Sequence, residues 1–162
     1  EFWRAYRRYA GVLEFVYLTA SDPKGFTSDN FQNVQTLQLE PHFEHAMEEA
    51  FNPLGVYLNF WQPTLNTGEA RDYTIAMVND EDRQRSGTLR LVYTDAEGKQ
   101  AEAGEVPFSL EPLGAQSYLI PLKAPGAAGK YSLEAIASPD DDRDHPTVSH
   151  RDVILQLSIS KK

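Results

Sequence analysis

The chain has 162 residues, of which 41% are hydrophobic and 24% are charged, and these values are typical of one globular domain or of one domain with part of another. Its formal net charge of −9 argues against a nucleic-acid partner, because phosphate binding needs a basic surface. The sequence contains no cysteine, which excludes a disulfide framework and a thiolate metal site. No stretch of it approaches the roughly twenty consecutive apolar residues that span a bilayer.

The first part of the sequence predicts a helix followed by a buried strand. Residues 1–9 place aromatic side chains near one side and arginines mostly on the other, a spacing typical of the end of an amphipathic helix. Residues 11–19 are apolar on both faces except at Glu14. This pattern is typical of a strand that is covered on both sides in a parallel α/β arrangement.

A long loop and a second helix come next. Residues 26–39 form a connection with a polar centre, and long ordered loops of this kind often carry function. Residues 42–51 have apolar side chains at helical spacing, with Pro41 at the favoured first position. A single parallel strand needs neighbours, so we expect residues 1–53 to be the last part of a larger α/β unit in a longer protein.

From Val56 onward the apolar residues recur with a period of two, which is the period of half-buried strands. Turn residues separate the apolar runs, for example at 66–68, 96–98 and 139–146. The pattern predicts a mainly β domain over residues 54–162, an antiparallel sandwich of immunoglobulin or fibronectin type III kind that folds alone. The seven predicted strands centre on Val56–Phe60, Tyr73–Met77, Leu89–Tyr93, Val106–Leu110, Tyr118–Leu122, Tyr131–Ala135 and Val153–Ile159.

Three segments together carry a resemblance to a known family. GVLEFVYLT at residues 11–19, GFTSDNF at 25–31 and FNPLGVYLNFW at 51–61, followed by a sandwich, resemble the C-terminal part of a β-galactosidase-like glycoside hydrolase of family two. The resemblance implies that residues 1–53 end a (β/α)8 barrel and that 54–162 are the immunoglobulin-like domain after it.

The resemblance also implies where a sugar binds. Barrel enzymes react at the carboxyl ends of their strands, and the family usually has a Trp near the end of the last strand. Tyr17 matches that position, and Asp22 matches an acidic residue shortly after it. The two catalytic glutamates of the family lie on earlier strands; Glu1 and Glu14 do not match them, so the chain is assigned no catalytic residue.

Several residues outside the resemblance have two interpretations. Tyr57, Trp61 and Tyr73 either form an aromatic platform that stacks on sugar rings or fill the core and an interface. The acidic runs at 79–82 and 140–144 either supply oxygen ligands to calcium or are solvated turns, and their spacing favours turns. The chain has four histidines, His42, His45, His145 and His150. His42 and His45 lie three residues apart on a predicted helix, which suggests a metal site. The sequence shows no third ligand, so exposed helix positions are favoured.

The sequence therefore predicts a non-catalytic C-terminal part of a glycoside hydrolase acting on β-linked glycans, with a sandwich that supports the catalytic barrel. The expected partner is the barrel of the parent chain, with glycans as a further candidate, and no cofactor or metal is expected. By resemblance, the location is periplasmic or extracellular. The alternative is a carbohydrate-binding or adhesion module without enzymatic activity.

Overall fold

The computed structural model describes residues 1–6, 30–33 and 35–157 of the chain. The predicted strand at 11–19, with Tyr17 and Asp22, lies outside the described residues. Two helices are described, α1 (Phe2–Ala5) and α2 (Pro41–Phe51). In this part of the chain no helix is long and apolar enough to cross a bilayer.

The predicted helix over 42–51 is confirmed by α2. Pro41 occupies its first turn, where a missing backbone N–H leaves no bond unmade. The side chain of Glu40 caps the helix, because its Oε2 accepts a hydrogen bond from the backbone N–H of Phe43 at 2.7 Å. This bond satisfies one of the free donors at the helix start.

Ten strands lie in the described part of the chain. They are β1 (Phe31–Asn33), β2 (Gln38–Leu39), β3 (Leu54–Leu58), β4 (Thr64–Asn66), β5 (Ala70–Asn79), β6 (Arg85–Asp95), β7 (Gln100–Leu110), β8 (Ala115–Lys123), β9 (Gly129–Pro139) and β10 (Thr147–Gln156).

Each of the seven alternating segments overlaps a strand in its described part, which confirms the mainly β prediction, while the end of the last segment, residues 158–159, lies outside the described residues. They correspond to β3 and to β5 through β10. The sequence pattern missed β4 and the small antiparallel hairpin of β1 and β2. The hairpin lies inside the predicted loop over 26–39, so the prediction of a loop was wrong for the last part of that segment.

The longer strands form a sandwich of two sheets. One sheet has five strands in the order β4-β10-β9-β6-β7, and the other has three in the order β3-β5-β8. The pairs in these sheets are antiparallel except β4 with β10, which run parallel over three residues. The connections follow the predicted turns, and Gly68 and Gly98 adopt positive φ angles of 71° and 79° there.

The core lies between the two sheets and takes side chains from both. The inward positions alternate along each strand, as the period of two requires. Its buried members are Leu54, Val56, Leu58, Phe60, Leu65, Tyr73, Ile75, Met77, Leu89, Leu91, Tyr93, Phe108, Leu110, Ile120, Leu122, Ala124, Leu133, Ala135, Ala137, Val153 and Leu155. Among the described residues, every member lies at residue 54 or beyond, so α1, α2, β1 and β2 contribute no side chain to this core.

Candidate functional site

Where β3 lies beside β10, side-chain hydrogen bonds connect the two strands in place of a backbone ladder. Ser149 is fully buried, and its Oγ accepts a hydrogen bond from the backbone N–H of Leu58 at 3.0 Å. Arg151 donates from Nη2 to the carbonyl of Leu58 at 3.0 Å and from Nε to that of Phe60 at 3.2 Å. These bonds satisfy backbone groups at the end of β3 and just after it, on the side where its sheet has no further described strand.

Glu1 joins the same network from the start of α1. Its Oε2 accepts hydrogen bonds from Ser149 Oγ at 2.7 Å and from Arg151 Nη2 at 3.3 Å. The carboxylate thus balances the guanidinium charge, which is largely shielded from solvent with 17% of the Arg151 side chain exposed. An ion pair that also makes hydrogen bonds is the arrangement in which shielded charges are tolerated.

An aromatic cluster of Phe2, Tyr6, Tyr57 and Trp61 lies next to this network. Tyr57 is its buried centre, and the rings of Phe2, Tyr6 and Trp61 lie 5.6, 6.4 and 6.4 Å from its ring centroid. The outward position of Tyr57 on β3 is therefore covered by α1 and by Trp61. The structure brings together Tyr57 and Trp61, two of the three residues of the predicted platform.

Trp61 is the exposed member whose orientation is best defined, with 68% of its surface accessible. Its Nε1–H donates to the hydroxyl of Tyr57 at 2.9 Å, and the guanidinium carbon of Arg151 lies 4.7 Å from its ring centroid. The hydrogen bond and the cation–π contact fix the indole at one edge and over one face. A fixed, exposed indole is chemically suited to stacking on an apolar or sugar ring.

Tyr73, the third predicted platform residue, lies on the other side of the sheet. It is buried in the core, where its hydroxyl lies 2.5 Å from that of Tyr93 on the opposite sheet. Its ring packs against Phe60 at 5.4 Å. Burial raises the pKa of Tyr73 and of Tyr93. Tyr73 thus fills the core, which was the second of the two interpretations of these aromatic residues.

Arg4 attaches α1 to both α2 and the sandwich. Its Nη1 donates to the carbonyl of Ala50 at 2.5 Å, and its Nη2 donates to the carbonyl of Asn52 at 2.8 Å and to Asp80 Oδ2 at 2.7 Å. Only 11% of the Arg4 side chain is exposed. Three partners around one guanidinium, two at the end of α2 and one after β5, hold α1 in a single position.

Gly55 permits this close approach of α1 to the sheet. A Cβ at Gly55 would lie 2.6 Å from Cγ2 of Val78 and 3.2 Å from Cζ of Arg4. Contacts that short require one of the neighbours to move. The Arg4 contacts therefore require a residue without a side chain at position 55.

The two acidic runs are held by arginines at one end of the sandwich. Glu81 pairs with Arg85 and, at 3.2 Å, with Arg83, while Asp141 lies 3.0 Å from Arg83 and 3.2 Å from Arg85. The hydrogen bond from Arg85 is the main cause that lowers the pKa of Glu81. Within residues 1–6, 30–33 and 35–157, no group of three His, Cys, Asp or Glu side chains is arranged to hold a metal.

The histidines divide between two regions. His145 lies 2.7 Å from Asp142 in the turn before β10, and the hydrogen bond to that carboxylate raises the pKa of His145. His45 on α2 and His150 on β10 both face Glu49. No sequence pattern brings His150 into this second group, because it lies far from His45 and Glu49 along the chain.

No family model matches the chain, and no curated protein matches it. Among solved structures it is similar to the β-glucosidase of Listeria innocua, in complex with glucose and in complex with isofagomine; each shows 11% identity and a TM-score of 0.50 over 65% of this chain and 16% of that chain. A family 123 glycoside hydrolase from Clostridium perfringens shows 12% identity and a TM-score of 0.44 over 62% of this chain and 23% of that chain. The matched region is thus a small part of each enzyme. At such an identity the likeness to the β-glucosidase shows a shared β-sandwich fold alone.

Proposed function

We propose that the chain is a non-catalytic C-terminal part of a β-galactosidase-like, family two glycoside hydrolase that acts on β-linked glycans outside the cytoplasm. In this proposal the sandwich is immunoglobulin-like and supports the catalytic barrel, which precedes it in the parent chain. The observation that carries the proposal is the attachment of α1 to the sandwich. The carbohydrate context is supported by the sandwich that the chain shares with the Listeria innocua β-glucosidase.

The contacts of α1 suit a supporting role. A helix of four residues, Phe2–Ala5, is too short to be stable alone. It is nevertheless fixed by Glu1 to β10 and by Arg4 to Asp80 and to the end of α2. Because α1 is fixed in one position, the chain that leads into the sandwich keeps a defined direction. A domain that supports the domain before it requires such a fixed connection.

The proposal is tested by comparing the complete natural polypeptide with this chain on 4-nitrophenyl β-glycosides, including the β-galactoside and the β-glucoside. We expect the complete protein to release 4-nitrophenol and this chain to release none. Turnover by residues 1–162 alone would contradict the supporting role. A complete protein that has no barrel would contradict the assignment to the family.

A second candidate function, a carbohydrate-binding module, is favoured by the geometry of Trp61. Its ring is exposed, and it is oriented by Tyr57 and Arg151. Binding modules use fixed aromatic rings of this kind to stack on sugar faces.

The binding candidate is tested by titrating soluble β-glucans and β-galactans into this chain and measuring the heat of binding by isothermal titration calorimetry. Trp61→Ala is expected to abolish binding if the platform operates. Trp3→Ala is the matched control, since Trp3 is exposed to a similar extent, 62%, but lies on α1. Equal binding by wild type and by Trp61→Ala would exclude the platform.

A further inference from the structure

α2 is held to the rest of the molecule mainly by polar contacts. None of its residues is fully buried, so apolar burial contributes little to its position. At its C-terminal end, Arg4 donates to the carbonyl of Ala50. One residue earlier, the carboxylate of Glu49 faces β10.

Glu49 lies between two imidazoles. Its Oε1 is 3.4 Å from Nε2 of His45, one turn away on α2, and its Oε2 is 4.0 Å from Nδ1 of His150 on β10. Only 15% of the Glu49 side chain is exposed, against 70% for His45 and 55% for His150. The Glu49 carboxylate is therefore shielded from water, while both imidazoles can exchange protons with water.

Two other carboxylates face the same place. Glu1, at the start of α1, and Glu134, on β9, lie close enough to raise the pKa of Glu49, although burial of Glu49 is the larger cause of that rise. Both imidazoles act in the opposite direction. Glu1 is itself bound to Ser149 and Arg151, and Glu134 accepts a hydrogen bond from Thr94 at 3.4 Å.

We propose that the attachment of α2 to the sandwich is controlled by protons: the contact of Glu49 with His45 and His150 tightens as the pH falls and loosens as it rises.

The direction follows from proton linkage. The shielded position raises the pKa of Glu49 above its ordinary value of 4.5, so the attached helix holds a proton on this carboxyl more firmly than the detached helix does. Where the imidazoles of His45 and His150 carry a proton, they also place positive charge beside this shielded carboxylate. Because the attached state holds the Glu49 proton more firmly, attachment is strongest in acid and weakens as the pH rises.

Detachment of α2 would also unfold it. A helix of 11 residues is marginal in water without packing, so loosening the contact exposes its backbone N–H groups. Attachment is therefore reported by the hydrogen-exchange protection of the amides in residues 45–51, corrected for the intrinsic effect of pH on exchange.

The experiment compares the protection of these amides in the full chain at pH 5.5 and at pH 8.0. We expect protection to be lower at pH 8.0, by up to about tenfold for each unit of pKa difference between the attached and detached states. Glu49→Gln removes the titrating carboxyl, and His150→Asn removes the imidazole of β10. Both variants are expected to reduce the ratio of amide protection at pH 5.5 to amide protection at pH 8.0.

His42→Asn is the matched control, because His42 lies on the same helix at an exposed position and does not face Glu49. It is expected to keep the wild-type ratio. The amides of β9 report whether the sandwich of each variant is folded. A wild-type ratio of one, or a ratio unchanged in Glu49→Gln or in His150→Asn, would overturn the proposal, as would loss of the ratio in His42→Asn.

Discussion

At the scale of single residues, the hydroxyl pair of Tyr73 and Tyr93 is the most specific polar feature of the core. The two phenols come from opposite sheets, and each is almost completely buried. Their oxygens lie 2.5 Å apart, so each satisfies the other in a place that water does not reach. Such pairs set the relative position of two layers, because apolar packing alone has no direction.

Removing both hydroxyls of this pair is expected to cost less than the two single removals added together. Tyr93→Phe leaves the Tyr73 hydroxyl buried without this partner, and we expect a loss of about 1–3 kcal/mol in the free energy of unfolding. The double variant Tyr73→Phe/Tyr93→Phe should lose less than the sum of the two single variants. Urea unfolding of all four proteins measures this coupling, and strictly additive losses would contradict it.

The same pair predicts how stability depends on alkaline pH. Burial raises the pKa of both phenols above the ordinary value of 10.0, so above that value the folded state binds more protons than the unfolded state. The free energy of unfolding should therefore fall as the pH rises beyond about 10. The double phenylalanine variant should lose less stability between pH 9 and pH 11, and equal losses in the two proteins would refute the assignment.

At the scale of elements, the sequence predicted long strands well and short ones poorly. An alternation such as that of Leu89, Leu91 and Tyr93 is typical of a half-buried strand and does not fit the spacing of a helix. Thr64–Asn66 and Gln38–Leu39 are too short for any period to show. They exist because tertiary partners are available, which a local pattern does not contain.

The candidate site was predictable only in part, for the same reason. The alternation over residues 56–61 put Tyr57 and Trp61 on one face, and their side chains are in contact, but it did not show that Tyr57 would be buried, because α1 covers it from elsewhere in the sequence. Tyr73 is in phase with Ile75 and Met77, and its burial agrees with the core interpretation, which the sequence left open beside the platform. The partners of Glu49 and of Arg4 depend on the fold and were not predicted.

The pairing of β6 with β9 depends on Gly87. A Cβ at this position would lie 2.8 Å from Cα of Pro139 and 2.9 Å from Cε1 of Phe108, and it would collide with the backbone oxygen of Ser138. Gly87→Ala therefore forces the two strands apart, and we expect a loss of about 1–3 kcal/mol in the free energy of unfolding.

Gly126→Ala is the matched control for this change. A Cβ at Gly126 meets no atom within 4 Å, so this variant should be close to neutral, or more stable by up to about 1 kcal/mol because alanine restricts the unfolded chain. Thermal or urea unfolding of both variants measures the difference. Equal stability of the two would show that β6 and β9 tolerate the added methyl group.

At the scale of the whole molecule, we expect the sandwich to carry its own stability. Since the core cluster in the described part of the chain takes every member from residue 54 or beyond, a protein that consists of residues 53–162 should fold and unfold cooperatively. It should be less stable than the full chain, because Tyr57 loses its cover and Asp80 loses Arg4. Circular dichroism melts of the two proteins measure both effects, and a shortened chain without a cooperative transition would contradict this independence.

The three-residue contact of β4 with β10 has a consequence for behaviour at high concentration. β4 occupies the hydrogen-bonding groups of β10 at Ile154–Gln156, while side chains of Ser149 and Arg151 occupy the space beside β3 further along. An unpaired strand edge can form hydrogen bonds with a second molecule and so start an aggregate. Because β4 pairs with this edge of β10, the chain removes one route to self-association.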